Sequence, residues 1–250
     1  MMRIVILILV VVCFVIQTSF GAILYGTENS AGTLYQIDTT DGSYSVVNDQ
    51  LPWLQGLAYN SSNGYLYGSE SGAGSLYQID PIDGNFSVVN SQLPWLEGLT
   101  YNSSDGFLYG SELDAGSLYR IDPIDGSYST VNNQLPWLEG LAYNSYDGYL
   151  YGSESGVGSL YQIDAIDGSY SLIDDQLPWL QGLAYNPFDG FLYGSELGAG
   201  NLYRINPADG GHTLVNDQTP WLEGLAYVPE PNSIILIGLG GLTFLRKKKY

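Results

Sequence analysis

The run Leu-Pro-Trp-Leu returns at a fixed interval. LPWLQGL begins at Leu51, LPWLEGL at Leu93 and Leu135, LPWLQGL at Leu177 and TPWLEGL at Thr219, each 42 residues after the last. Residues 24–50 are a further partial copy: LYGTENSAGTLYQIDTTDGSYSVVNDQ aligns with LYGSESGAGSLYQIDPIDGNFSVVNSQ at 66–92. A chain built this way must stack one supersecondary unit on copies of itself, because a single unit cannot bury its own apolar faces.

The unit LPWLEGLTYNSSDGFLYGSELDAGSLYRIDPIDGSYSTVNNQ (93–134) holds four strand-like runs: Leu96–Asn102, Phe107–Ser111, Ser117–Asp122 and Tyr128–Val131. They are rich in Tyr, Leu, Val and Ile. The gaps SSDG and PIDG suit tight hairpins, with Asp bracing the turn and Gly taking a positive φ. Adjacent apolar residues in LAY and LYG point to opposite faces, so both faces of the sheet are covered. No helical apolar spacing interrupts the repeats. Four short strands per unit predict one propeller blade. Each strand type occurs five times, so the expected fold is an all-β, five-bladed β-propeller over residues 22–228. In it Leu222–Val228 pairs beside Ile23–Thr27 and closes the ring from both ends of the chain. Closure removes the exposed edges that an open stack, the rival architecture, would leave.

In such a ring the links entering strand one and those joining strands two and three share a face. That face is expected to carry Trp53, Trp95, Trp137, Trp179 and Trp221. Two residues after each comes Gln55, Glu97, Glu139, Gln181 or Glu223. Aromatic planes beside oxygen acceptors suit stacking on sugars, and five copies add avidity for a repetitive polymer. The competing expectation is that the Trp side chains wedge between blades. Glu28, Glu70, Glu112, Glu154 and Glu196 end the second strands; they are candidate calcium ligands, since hard cations want several oxygens. The turn Asp122–Gly126 is a hairpin and not an EF-hand loop. Departures between units are small (Gln at 55 and 181, Arg at 120 and 204), and no unit stands out as specialised. A catalytic carboxylate pair needs an asymmetric site, so no enzyme activity and no catalytic residue is expected.

Charge narrows the partners. All 26 acidic residues lie between the two apolar ends, with only Arg120 and Arg204 against them, and the chain carries a formal net charge of −19. Such a surface repels nucleic acid. Residues 1–21 read as a signal peptide, with Arg3, an apolar run and small residues near Ala22. The one cysteine, Cys13, lies inside it, so the exported form has no disulfide, and with one histidine, His212, it lacks the usual zinc ligands.

The tail reads VPEPNSIILIGLGGLTFLRKKKY. Pro229, Glu230 and Pro231, then an apolar segment 233–245 expected as a transmembrane helix, then Arg246, Lys247, Lys248 and Lys249 resemble the PEP-CTERM sorting signal. That resemblance implies a Gram-negative bacterium and processing by an exosortase. It implies transient inner-membrane association through the C-terminal helix, with the bases held cytoplasmic, and then release to the cell surface or extracellular matrix. The apolar segment is shorter than the ~20 residues of a usual crossing, which suits a transient hold. The units GLAY…DG-x-LYG and LY-x-IDP-x-DG resemble NHL- and YVTN-type propeller repeats and the five-bladed lectin propellers of the tachylectin type, which imply a fold and not a ligand. The sequence therefore leads to an exported surface or matrix module that binds polysaccharide through its Trp/Glu face. The alternative is a structural acidic matrix protein without a specific ligand, its only implied cofactor being calcium.

Overall fold

The computed structural model describes residues 23–112, 114–196 and 198–229. The signal-peptide segment 1–21, Glu230, Pro231, the apolar segment 233–245 and Arg246 to Lys249 lie outside them. Among the described residues no helix is long and apolar enough to cross a membrane.

Five antiparallel four-stranded sheets form the fold. The first blade holds β4 (Gly56–Asn60), β5 (Tyr65–Glu70), β6 (Ser75–Ile79) and β7 (Phe86–Asn90). The second holds β8 (Leu96–Asn102), β9 (Phe107–Glu112), β10 (Ser117–Ile121) and β11 (Tyr128–Asn132). The third holds β12 (Gly140–Tyr143), β13 (Leu150–Glu154), β14 (Ser159–Ile163) and β15 (Tyr170–Asp174), and the fourth β16 (Leu180–Asn186), β17 (Phe191–Glu196), β18 (Leu202–Ile205) and β19 (His212–Asn216). The fifth is made from both chain ends: β20 (Gly224–Val228) lies beside β1 (Ile23–Glu28), followed by β2 (Thr33–Asp38) and β3 (Tyr44–Asn48). Its register runs from Ile23 opposite Val228 to Thr27 opposite Gly224, as the repeat phase requires. The inner strands β4, β8, β12, β16 and β20 contact one another in turn and close the ring.

The core follows from the blade shape. Second strands such as Phe191–Glu196 bury four successive residues, so both faces of each sheet are apolar. Burial is organised as wedges between blades. Ala58, Tyr67 and Leu76 of the first blade pack on Leu96, Leu99, Leu108 and Ile121 of the second, and the other seams repeat this arrangement. A fully buried Leu contributes roughly 1.5–3 kcal/mol, and each seam holds several. This packing does the work a disulfide would do in a smaller domain.

Two glycine positions make the packing possible. At Gly68 in β5 a Cβ would stand 2.5 Å from Leu54 Cδ1, so only glycine lets the loop leucine tuck against the strand. Gly74 sits at φ +63, where a Cβ would meet the Leu93 carbonyl oxygen at 2.4 Å. Its own carbonyl accepts from Leu93 N at 2.8 Å, tying the link between strands two and three to the entry of the next inner strand.

The DPIDG stretch is the hairpin the sequence predicts. Ile124 N donates to Asp122 Oδ1 and Gly126 N to the Asp122 carbonyl, both at 2.8 Å. A bulge in each outer strand, as between Leu76 and Tyr77 against Asn90 and Val88, re-aims the chain. It carries Asn90 to the neighbouring blade, where Nδ2 donates to the Gly126 carbonyl at 3.0 Å.

Candidate functional site

The five Trp side chains are exposed. Trp53 is 65% exposed and the others lie between 57% and 60%. Local alternation produces this. The link presents Leu51 and Leu54 to the core, at 6% and 1% exposure, and the intervening residues turn outward. Leucine is therefore the wedge between blades, and the indole is left on the surface in every unit.

The Gln/Glu positions lie elsewhere. Gln55, Glu97, Glu139, Gln181 and Glu223 converge on the central channel, where they ring a cavity of about 10 Å³ together with the glycine and leucine that follow each. This is room for about one water. Gln55 Nε2 donates to Glu97 Oε2 at 2.6 Å across two blades. Ser71 N donates to Gln55 Oε1 at 3.1 Å, joined by the Ser71 hydroxyl, and the Ser155 hydroxyl donates to Glu139 Oε1. Among the described residues Gln181 Oε1 is buried without a partner. Burial pushes the Glu97 carboxyl up; the Ser71 bond opposes this, and the charges of Glu139 and Asp114 reinforce it. The sequence reading set these five beside the indoles as a shared surface. The structure gathers them as a collar on the axis, with Gln55 bonded to Glu97. The reason is strand geometry, since the residue at 55 already belongs to the entry of the inner strand while Trp53 belongs to the link.

Glu28, Glu70, Glu112, Glu154 and Glu196 stay one per blade. Each accepts a hydroxyl seven residues on: Tyr35 and Tyr77 at 2.8 Å, Tyr119 at 2.7 Å, Tyr161 at 3.0 Å and Tyr203 at 3.1 Å. Burial first, then the Glu28 bond and charge, pushes the Tyr35 phenol up to about 12. The five are not brought together, and among the described residues no three His, Cys, Asp or Glu are placed to hold a cation.

On the opposite face the inner-strand tyrosines Tyr59, Tyr101, Tyr143, Tyr185 and Tyr227 ring the other end of the channel, around a cavity of about 80 Å³. Here the units differ, contrary to the sequence reading that none is specialised. Ser62 and Ser104 occupy the first inner hairpin in the first and second blades, but Tyr146 and Phe188 stand there in the third and fourth. An open groove of about 620 Å³ lies beside them, between the third and fourth blades. Aligning the units shows these exchanges, which lie in turns and leave the strand pattern intact.

No family model matches the chain, and no curated protein matches it. Solved structures do. A chain of a nidogen/laminin complex superposes with a TM-score of 0.61 at 14% identity, covering 83% of this chain and 81% of that one. Virginiamycin B lyase from Staphylococcus aureus gives 0.51 at 18% identity, over 84% of this chain and 67% of the lyase. A streptogramin B lyase gives 0.51 at 19% identity over 80% and 66%. At these identities the likeness establishes the propeller fold and leaves the chemistry of the faces to be argued from the residues themselves.

Proposed function

We propose that this chain is an exported binding module whose Trp face takes a polysaccharide. The observation that carries the reading is the set of five indoles, each more than half exposed, repeated around one face of a closed ring. An exposed indole forgoes burial worth a few kcal/mol, and large exposed apolar side chains gathered on one face mark interaction sites. A flat ring suits the apolar face of a pyranose, and a fivefold array suits a polymer with a repeated sugar, where linked weak contacts add through effective concentration. The nidogen/laminin likeness supports a binding role for the scaffold. The signal-peptide character of 1–21 and the PEP-CTERM resemblance of 229–250 support export, exosortase processing, and delivery to the cell surface or matrix.

The test is calorimetric titration of residues 22–229 with the extracellular polysaccharide of the host. A single Trp→Ala change is expected to weaken binding about tenfold, or ~1.4 kcal/mol. All five together are expected to abolish it. Because the indoles are exposed, each change should shift stability by no more than about 0.5 kcal/mol. Undiminished binding by the folded five-fold variant would refute the Trp reading.

A further inference from the structure

The seam between the third and fourth blades is built differently from its sisters. At the first two seams a hairpin serine bonds the inner tyrosine of the next blade: Ser62 to the Tyr101 hydroxyl at 2.6 Å and Ser104 to the Tyr143 hydroxyl at 2.5 Å. With Tyr146 in the serine position, the Tyr185 hydroxyl has no hydrogen-bond partner among the described residues, although the side chain is only 8% exposed. Outer-strand ties also differ. Asn48, Asn90, Asn132 and Asn216 donate Nδ2 to a carbonyl of the next blade at 2.8–3.0 Å. Asp174 takes this place at the fourth-blade seam, against Gly210, and a carboxylate has no N–H to give. Among the described residues this is the one seam lacking both ties, and it is where the 620 Å³ groove opens.

The groove has a defined chemistry. Tyr146 and Phe188 flank it at 91% and 69% exposure, and Tyr185, Asp147, Asp189 and Gln162 line it. Two sister acids are neutralised. Arg120 reaches Asp105 at 3.4 Å and Arg204 reaches Asp189 at 3.2 Å, and their guanidinium carbons lie 3.3 and 3.4 Å from the ring centroids of Phe107 and Phe191. The third blade has Gln162 where these arginines stand, and its amide donates to the Tyr151 hydroxyl at 3.1 Å. Asp147 is held by neutral donors alone: Tyr149 N at 3.0 Å, Asn144 Nδ2 at 2.9 Å and the Tyr151 hydroxyl at 2.7 Å. Its charge is oriented but not cancelled. Burial, then the charges of Asp147 and Asp189, push the Tyr185 phenol up, which keeps it a neutral hydroxyl facing the groove.

We propose that this groove is a binding site for an organic ammonium ion, with its charge toward Asp147 and its methyl or methylene groups between Tyr146 and Phe188. Aromatic faces attract such cations, and the volume lies within the range of small-ligand sites, roughly 300–1,000 Å³. Anionic ligands meet the uncancelled carboxylate of Asp147. A neutral apolar ligand leaves the missing arginine and the uncancelled Asp147 charge without a role. The site lies on the face opposite the indoles and does not depend on the polysaccharide reading.

Full-chain protein is titrated with choline, with putrescine, and with 3,3-dimethyl-1-butanol, the neutral isostere of choline. One equivalent of at least one cation is expected to bind with Kd of ~1 mM or tighter, and the isostere at least about tenfold more weakly. Asp147→Asn and Phe188→Ser should each lose about tenfold. Gln162→Arg, which supplies the guanidinium of the sister units, should abolish binding. Asp105→Asn and the five Trp→Ala changes should leave it unchanged. Thermal melts identify any variant that fails to fold, and the three groove variants stand in for one another. Failure of both cations, equal binding of the isostere, several equivalent sites per chain, or binding retained in folded Gln162→Arg protein would each overturn the proposal.

Discussion

Glu97 shows what happens to a side chain repeated around an axis. Alone on a surface it would titrate normally, but at the channel mouth burial raises its carboxyl above the usual value, with Glu139 and Asp114 adding to the shift. A carboxyl raised in the folded state contributes stability that is fully present below its unfolded pKa, near 4.3. That contribution is lost as pH rises through the folded value. Glu97→Gln copies the residue found at Gln55 and Gln181, and its amide oxygen still accepts from Gln55. It is expected to raise the thermal midpoint at pH 7 by about 1–2 °C, the partial exposure of the group screening the gain. No shift is expected near pH 3.5, where Glu97 is already neutral. Melting curves of both proteins at the two pH values decide it. An equal shift at both would make the effect one of packing and not charge.

At the scale of the strand and its links, the period made most of the fold legible. Strand phase, hairpin position and the pairing of β1 with β20 all follow from a 42-residue repeat of fixed length, because apolar pairs such as Leu66 and Tyr67 can be buried together only when blades cover both faces. The indole direction was not legible, since Leu51, Trp53 and Leu54 are all apolar and any of them could have filled the seam. The collar was misplaced for a related reason: spacing along the chain put Gln55 near Trp53, while the turn into β4 sends them to different environments. The groove was missed because its signal lies in two turn residues, Tyr146 and Phe188, and in one missing amide at Asp174. Restoring that amide is a test at this scale. Asp174→Asn should donate to the Gly210 carbonyl as the sister asparagines do, stabilising the chain by about 1 kcal/mol. The melting midpoint should rise by about 2–4 °C. Chemical denaturation of both proteins checks it, and an unchanged midpoint would mean that the seam is held by other contacts.

For the whole molecule, the tyrosine–carboxylate bonds repeat around the ring and should respond together. Burial is the first cause of the raised phenols, which reach about 12 in Tyr35 and Tyr193 and are raised also in Tyr77, Tyr119, Tyr161 and Tyr203. A phenol raised in the folded state gives stability that is complete below the unfolded value, near 10, and lost as pH climbs through the folded one. Tyrosinate absorbance is therefore expected to rise in a step between pH ~10 and ~12 that coincides with loss of β-sheet circular dichroism. Gradual ionisation of the ring tyrosines with the fold retained would contradict it. The pairing of β1 with β20 has a further consequence, in time and not in energy. A ribosome makes β1 first and its partner some two hundred residues later. Through that interval the inner edge of β1 presents unpaired N–H and C=O groups to whatever it meets, and the nearest imitators of its missing partner are β4, β8, β12 and β16 of its own chain and of neighbouring ones. Maturation should thus slow as nascent chains crowd together, and dilution or a strand-shielding chaperone should speed it. The latch that closes the finished ring is the last part of it to exist.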